Sequence, residues 1–227
     1  SDEFKKRAAE REALISLEKY GMTTAECLRV FKIFGKRAVE NVERNPYLLC
    51  SEGIGITFEK ACDIASRLPV PPADEYRISA GIVYVVRHNL YNGHTCLPRE
   101  KLIPPCCSLL GCSSDYLETQ LDNIIEQRQL ISDNIGGREF VFLPDIYNAE
   151  KQAANMVLFM KRFAPKSFFD IEHQINNAEL ISGVCYNEQQ RLAIKLAVEK
   201  GILILTGGPG TGKTTTLRGI LKVFESQ

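Results

Sequence analysis

Hydrophobic residues recur at helical spacing along most of the chain, and glycine and proline divide them into short segments. Residues 8–35 predict two helices joined by a tight hairpin, because apolar side chains recur every three to four positions on both sides of Gly21. Gly55-Ile56-Thr57 then repeats Gly21-Met22-Thr23, which gives an internal repeat of 34 residues. Asn45-Pro46-Tyr47 is predicted to break the helical pattern between the two copies.

The middle of the chain predicts three helices followed by a β-hairpin, which is the order of a winged helix. Three prolines in Leu68-Pro69-Val70-Pro71-Pro72 favour an extended linker and a domain boundary. Apolar residues on both sides of Asn134-Ile135-Gly136-Gly137 predict two strands and a turn. The first predicted helix covers residues 75–91. The second begins near Pro98, and Pro104 and Pro105 leave its course open. The third is capped by Ser113 and ends at Leu130.

The last third of the chain predicts a long helix, a polar connector and the beginning of an α/β domain. The helix covers residues 147–163, and the connector extends to about Ser182. A helix over 187–200 precedes Ile202-Leu203-Ile204-Leu205, an apolar run typical of a buried parallel strand. Another helix is expected to end near Phe224. The residues predicted to face inward from the long helix are Ala153, Met156, Val157 and Met160.

A phosphate-binding P-loop is the strongest chemical signal in the chain. It follows the predicted strand, precedes a predicted helix and has the spacing Gly-x4-Gly-Lys-Thr. Its glycines let backbone N–H groups face phosphate oxygens, and the positive end of the following helix faces the same charge. Lys213 is predicted to reach the β- and γ-phosphates of ATP, and the Thr214 hydroxyl to bind Mg²⁺. The predicted nucleotide-binding residues are Gly207, Gly208, Pro209, Gly210, Thr211, Gly212, Lys213, Thr214 and Thr215, with Lys213 and Thr214 also taken as catalytic.

Gln190 is the candidate for recognising adenine. It lies one helix and one strand before the P-loop, and its amide offers a paired donor and acceptor to the base edge. Taken without its neighbours, a glutamine near a helix N-terminus is more often a solvated surface residue. The alternative for the P-loop is a glycine-rich turn whose lysine has no role in binding phosphate.

Composition adds few constraints. The 227 residues carry zero formal net charge, so charge neither supports nor excludes a nucleic-acid partner. No apolar stretch approaches the ~18 residues of a membrane span, and no secretory signal is recognisable, so a soluble cytoplasmic protein without a membrane partner is expected. The eight cysteines lack the spacing of a disulfide framework, and those near His94 lack the paired spacing of a zinc site. Free thiols are therefore expected.

The two Gly-apolar-Thr hairpins resemble helix-hairpin-helix motifs, which offer backbone N–H groups to a DNA phosphate without reading sequence. The usual motif has a second glycine where this chain has Thr23 and Thr57, whose hydroxyls could act as donors instead. A hairpin that only packs a small bundle is the alternative. The candidate DNA-contacting residues are Gly21, Met22, Thr23, Gly55, Ile56, Thr57 and Lys60.

The winged-helix-like region offers two further basic residues. Arg138 follows the turn of the predicted hairpin, and Arg128 lies near the end of the last predicted helix. Such a region contacts a duplex in some proteins, and in others serves as a protein-interaction or spacer module.

The order of these parts resembles RecD-like DNA helicases of superfamily 1, in the bacterial branch with an N-terminal extension. The resemblance rests on four stretches of sequence: residues 45–47 together with 55–61, Asn92-Gly93-His94-Thr95-Cys96-Leu97-Pro98, residues 187–190, and residues 205–217. It implies a mainly α multidomain fold and ATP-driven translocation on single-stranded DNA in the 5′-to-3′ direction, with unwinding at a duplex junction in repair or recombination. In the family, Gln190 would match the adenine-reading glutamine, and Lys213 and Thr214 the phosphate and magnesium residues.

The expected architecture has four parts. A tandem helix-hairpin-helix domain covers 1–70, a winged-helix-like α+β domain 71–146, a helix and connector 147–182, and the truncated start of a RecA-like P-loop α/β domain 183–227. Only 13 residues follow Thr214 in this sequence, so these residues alone are expected to be inactive. The alternative is a DNA- or protein-binding module attached to a different P-loop NTPase.

Overall fold

The computed structural model of the chain is mainly helical. It describes residues 2–71, 73–162, 170–200 and 202–225, with side chains of the first helix from residue 9 onward. Contacts group the chain into two compact units, Ser1–Tyr147 and Asn148–Gln227. The helices are α1 (Asp2–Glu18), α2 (Thr24–Phe34), α3 (Ala38–Arg44), α4 (Phe58–Ser66), α5 (Asp74–Leu90), α6 (Arg99–Leu110), α7 (Ser114–Glu126), α8 (Pro144–Arg162), α9 (Ile171–Ser182), α10 (Glu188–Glu199) and α11 (Lys213–Glu225). The strands are β1 (Cys96–Pro98), β2 (Ile131–Ile135) and β3 (Arg138–Phe142).

The first unit begins with the two predicted helical hairpins. α1 and α2 flank the turn at Gly21, while a 3₁₀ turn over Pro46–Cys50 precedes the turn at Gly55 that leads into α4. The predicted break between the copies is confirmed, since the Asn45 side chain accepts the backbone N–H of Tyr47 at 3.1 Å. The hairpins share one core, formed by Leu17, Met22, Cys27, Val30, Ala38, Val42, Leu49, Ile54, Ile56 and Ile64.

A second core in this unit continues across the proline-rich segment. It combines Tyr47, Phe58 and Ala61, which come before that segment, with residues of α5, α6, α7 and the sheet. α5 and α6 approach closely at Gly81, where a side chain would collide with Leu110. The second hairpin is therefore held against the following helices by buried apolar contacts.

The sheet of the first unit has three antiparallel strands in the order β1-β3-β2. The predicted hairpin is confirmed: Ile135 pairs with Arg138, and the turn residues Gly136 and Gly137 have φ of 62° and 82°. Positive φ at both central positions is the geometry of a two-residue hairpin turn. β1, which pairs with β3, was not predicted, because three residues carry no periodicity.

One helix prediction in this region is corrected, and one that the sequence left open is decided. The helix predicted to begin near Pro98 is α6, and it continues through Pro104 and Pro105, which both lie on its exposed side, where water can satisfy the carbonyls that lose an N–H partner. α7 ends at Glu126 rather than Leu130, because Arg128 adopts a left-handed φ of 59° and turns the chain toward β2. Ser113 occupies the N-cap position of α7, but its side chain makes no capping hydrogen bond in the described structure.

Two predictions before the nucleotide-binding segment are also wrong. Residues 151–162 of α8 are exposed throughout, including Met156, which is 65% exposed, so the predicted inward face lies at the surface. Helical spacing shows which residues share a face, but not whether a partner covers it. The predicted connector contains α9, whose N-cap Asp170 accepts the backbone N–H groups of Glu172 and His173; its residues 164–169 lie outside those described.

α9, α10 and α11 form the core of the second unit. Gly219 lets α11 approach α10, since a Cβ there would lie 2.8 Å from Ile194. The predicted buried strand is wrong: residues 202–208 form none, and Ile204 is 81% exposed. A strand needs a neighbouring strand for its backbone N–H and C=O groups, and the described residues provide none beside it. The core residues are Ile171, Ile175, Ala178, Tyr186, Ile194, Val198, Ile220 and Val223.

Two general expectations can be compared with the described residues. The eight cysteines form no disulfide within the described residues, and burial raises the pKa of Cys27 to about 11 and of Cys106 to about 12. None of the helices in the described ranges has both the length and the hydropathy that a membrane span requires.

Candidate nucleotide and nucleic-acid sites

The P-loop is an exposed turn that ends at the first residue of α11. Gly210 and Gly212 have φ of 75° and 83°, conformations that glycine adopts without strain. A side chain at Gly207 would collide with the hydroxyl of Thr211, which donates to the Gly208 carbonyl at 2.9 Å. The unbonded N–H groups of the first turn of α11 lie next to this loop, as a phosphate site requires.

The ammonium of Lys213 is folded back onto the loop. Its Nζ donates to the carbonyl oxygens of Gly207 and Gly208, each at 2.7 Å. Thr214 is exposed, whereas the buried Thr216 hydroxyl donates to the Gly212 carbonyl at 3.0 Å and anchors the loop to the helix. The loop therefore offers an ammonium, a hydroxyl and backbone N–H groups, a donor set that suits phosphate oxygens and a hydrated cation.

Gln190 lies against the P-loop. A capping box fixes it at the start of α10: Gln190 Oε1 accepts the N–H of Asn187 at 3.0 Å, and Asn187 Oδ1 accepts the N–H of Gln190 at 2.9 Å. The Gln190 amide nitrogen occupies the space that a Cβ at Gly212 would need. The structure thus brings Gln190 and the P-loop together, and it identifies Asn187 as the residue that orients this glutamine.

The two hairpins repeat one local structure, which explains their shared three-residue pattern. Gly21 and Gly55 have φ of 87° and 69°, so each glycine makes a left-handed turn. The next residue, Met22 or Ile56, is 5% exposed and enters the hairpin core. Each threonine caps the following helix: Thr23 Oγ1 accepts the N–H of Glu26 at 3.4 Å, and Thr57 Oγ1 accepts the N–H of Lys60 at 3.3 Å.

The candidate DNA-contacting residue Lys60 pairs with a glutamate of the other hairpin. Its Nζ lies 2.7 Å from both carboxylate oxygens of Glu26, the residue that occupies the equivalent position in the first repeat. Burial alone would raise the pKa of Glu26, but hydrogen bonds from Lys60 and Thr23 lower it below its ordinary value. Lys60 therefore links the hairpins, and Glu26 offsets its positive charge.

Three residues that the sequence did not single out complete this junction. Glu26 also accepts the Thr23 N–H at 2.7 Å, and the Thr-x-x-Glu spacing is the capping-box signal that could have identified it. Arg29 Nε donates to the Ile54 carbonyl at 2.7 Å. The guanidinium of exposed Arg67 covers Gly21, a contact between distant residues that no local pattern predicts.

The basic residues of the winged-helix-like region are placed differently. Arg138 pairs with Glu100 of α6, and its guanidinium lies 5.8 Å from the centre of the Phe140 ring. Arg128 is exposed at the turn after α7. A third arginine, Arg99, contacts Glu118, Asp122 and Glu139, and the hydrogen bond that it donates to Asp122 raises its pKa. That cluster ties α6, α7 and β3 together and is structural.

No group of three or more His, Cys, Asp or Glu side chains in the described ranges could hold a metal ion.

Comparison with known proteins adds two domain matches. Residues 6–96 match the helix-hairpin-helix domain of ATP-dependent RecD2 DNA helicases, and residues 190–227 match an AAA domain. The first match covers both hairpins and α5, and the second covers Gln190 and the P-loop.

Sequence relatives agree with these matches. The chain is 24% identical over 233 residues to an ATP-dependent RecD2 DNA helicase of Deinococcus radiodurans, a match that covers 98% of this chain and 32% of that protein. It is 52% identical over 40 residues to the RecBCD enzyme subunit RecD of Mycolicibacterium smegmatis, and 48% over 40 residues to that of Mycobacterium tuberculosis. Each 40-residue match covers 18% of this chain and 7% of the relative. The chain thus spans about a third of the RecD2 relative, and the resemblance to RecD-like helicases is confirmed.

Proposed function

We propose that this RecD-like chain is the N-terminal part of an ATP-dependent DNA helicase. The intact protein would hydrolyse ATP to move 5′ to 3′ along single-stranded DNA and unwind the duplex ahead of it, in DNA repair or recombination. The observation that carries the proposal is the presence, in one chain, of a tandem hairpin unit matching the RecD2 domain and a P-loop in contact with a glutamine.

The nucleotide site is proposed to use Lys213, Thr214 and Gln190. Lys213 exchanges the carbonyls of Gly207 and Gly208 for β- and γ-phosphate oxygens, because a charged acceptor makes the stronger hydrogen bond. Thr214, whose hydroxyl is exposed, is the proposed protein ligand of Mg²⁺, which neutralises phosphate charge when bound. Gln190 is proposed to read the adenine edge from its position beside Gly212. The remaining P-loop residues through Thr215 supply backbone N–H groups.

The two hairpins are proposed to contact DNA phosphates through backbone N–H groups. The Thr23 N–H donates to Glu26 at 2.7 Å, and the N–H groups of Gly55 and Ile56 donate to carbonyl oxygens of the second hairpin, so a phosphate would compete with these acceptors. Lys60 is one-third exposed and would share its ammonium between Glu26 and a phosphate. We add exposed Arg67, which brings a positive charge to the first hairpin.

The domain boundaries remain proposals. We propose hairpin, winged-helix-like, connecting and P-loop parts over 1–70, 71–146, 147–182 and 183–227. In the intact protein the last part would continue into a parallel sheet that covers Ile204 and Leu205. Without that sheet, residues 1–227 are proposed not to hydrolyse ATP, because the part of the chain that the structure describes places no strand beside the segment that leads into the P-loop.

The helicase proposal is tested in the intact protein with Lys213→Ala and the matched control Lys222→Ala, which changes a lysine near the other end of α11. Lys213→Ala should abolish ATP hydrolysis and strand displacement while preserving DNA binding, since the ammonium serves the nucleotide. Lys222→Ala should leave the three measurements unchanged. Strand displacement that survives Lys213→Ala would refute the proposed function.

The hairpin contacts are tested separately by the salt dependence of duplex binding. The affinity of the 227-residue chain should fall as salt rises, and Arg67→Ala should reduce the slope of log affinity against log salt by about one. Lys101→Ala, an exposed lysine of α6 outside the hairpins, is the control that should leave this slope unchanged. A slope that Arg67→Ala does not change would remove Arg67 from the DNA-contacting set.

A further inference from the structure

A cleft of about 1020 Å³ lies within the first unit, between the second hairpin, α5 and α7. The hairpin residues Gly55, Ile56 and Thr57 line one side, and Tyr84, His88 and Tyr91 of α5 line another. The proposed phosphate-contacting turn and a group of aromatic residues therefore share one cavity.

The aromatic residues form a continuous series from the core to the surface. Buried Phe58 stacks on Tyr84 with ring centres 5.5 Å apart, Tyr84 lies 5.9 Å from His88, and His88 lies 6.2 Å from Tyr91. Tyr84, His88 and Tyr91 occur on successive turns of one side of α5 and its C-terminal cap. Tyr91 is 84% exposed, so its ring is available to a ligand.

The opposite wall of the cleft carries side-chain amides. Gln120, Asn123 and Gln127 of the α7 region line it, and Gln127 and Asn123 are exposed. Each amide has a donor and an acceptor, so such a wall can bond to the varied edges of nucleobases. Stacking rings on one side and amides on the other match the two faces that an unpaired base presents.

The charges in the cleft favour bases over phosphates. Arg87 is paired with Glu52, Tyr84 donates to Glu59 at 2.9 Å, and Glu75 adds another carboxylate to the lining. These groups leave no surplus of positive charge to hold a phosphate backbone inside the cavity. A duplex keeps its base faces stacked on one another and could not offer them to the rings.

We propose that this cleft binds unpaired nucleobases of a DNA strand whose phosphates contact the second hairpin. The proposal rests on the proposed function of that hairpin and adds a preference for single-stranded DNA. Bases stack on Tyr91 and His88 at the mouth of the cleft, and their edges bond to the amides of α7.

The test measures binding of the 227-residue chain to labelled oligonucleotides by fluorescence anisotropy. The probes are an oligothymidylate about 20 nucleotides long, an abasic strand of the same length, and a duplex of that length. We expect the oligothymidylate to bind about fivefold or more tightly than the abasic strand, and Tyr91→Ala to remove most of that difference. Tyr91→Phe should preserve it, because the phenyl ring still stacks.

Tyr116→Ala is the matched control, since Tyr116 is an exposed tyrosine of α7 that does not line the cleft. It should leave the affinity for the oligothymidylate unchanged. Two results would overturn the cleft proposal if the chain still binds the duplex. One is equal affinity for the oligothymidylate and the abasic strand, and the other is an oligothymidylate affinity that neither Tyr91→Ala nor His88→Ala lowers. Loss of binding to the three probes at low salt would instead overturn the DNA function of the hairpin, and the cleft proposal with it.

Discussion

Replacing Lys60 by methionine tests how strongly the two hairpins depend on one ion pair. Methionine preserves most of the apolar stem of the lysine but removes the ammonium that lies 2.7 Å from both Glu26 oxygens. The Glu26 side chain is 14% exposed, so water can replace only part of the lost contact. The carboxylate would still accept the Thr23 N–H.

The expected cost is worked out from the burial of the two partners. Breaking a fully buried pair costs about 3–5 kcal/mol, and a fully exposed pair contributes about 0.2–1 kcal/mol. Lys60 is 33% exposed and Glu26 14%, so this pair lies between those limits, and we expect a loss of about 2 kcal/mol. For a chain of this size that loss lowers the melting temperature by about 4–8 °C.

The assay is urea unfolding followed by circular dichroism, with hydrogen exchange of α2 and α4 as a local measurement. Arg138→Met is the control, because the Arg138–Glu100 pair is 47% and 56% exposed, and breaking it should cost less stability than breaking the Lys60–Glu26 pair. In the double variant with Glu26→Gln, the second change should cost about 1 kcal/mol less than it does alone. If Lys60→Met costs no more than Arg138→Met, the pair does not hold the hairpins together.

Three further outcomes follow from local geometry. Gly55→Ala should lower the free energy of unfolding, measured in urea, by about 1 kcal/mol, because Gly55 has a left-handed φ of 69°. Gly55→Asn should cost less, since asparagine adopts this conformation more readily, and equal stability of both variants would contradict the backbone argument. Gly219→Ala should overpack the contact with Ile194, which lowers the free energy of unfolding by about 1–3 kcal/mol and with it the melting temperature. Arg218→Ala, at an exposed position beside it, should leave the melting temperature unchanged. The lowered pKa of Glu26 contributes stability above its ordinary pKa of 4.5 that is lost as pH falls through its folded value, so Glu26→Gln should flatten the stability profile there. An unchanged profile would remove Glu26 as the cause.

Local patterns predicted the parts of this chain that depend on local physics. The Gly-apolar-Thr repeat combines a left-handed turn, a buried side chain and a helix cap, and each of these is set by residue type at one position. The P-loop and the start of α11 are equally local. Even the position of Gln190 follows from its capping box with Asn187, although the contact with Gly212 required the structure.

The two failed predictions of burial share a different cause, which is the absence of a partner surface. The apolar run 202–205 has strand composition, but without a neighbouring strand in the described residues it stays irregular and exposed. The apolar residues of α8 have the spacing of a buried face and lie at the surface. Periodicity shows which apolar residues share a face, and tertiary contacts determine whether that face is buried.

The pairing of Glu26 with Lys60 also constrains how the two repeats relate to each other. The residues stand at equivalent positions of the repeat, so two identical copies would place two carboxylates or two ammonium groups against each other. Like charges at that distance repel, and burial would increase the cost. The junction therefore requires the two copies to carry opposite charges at this position, so neither hairpin could be replaced by a second copy of the other.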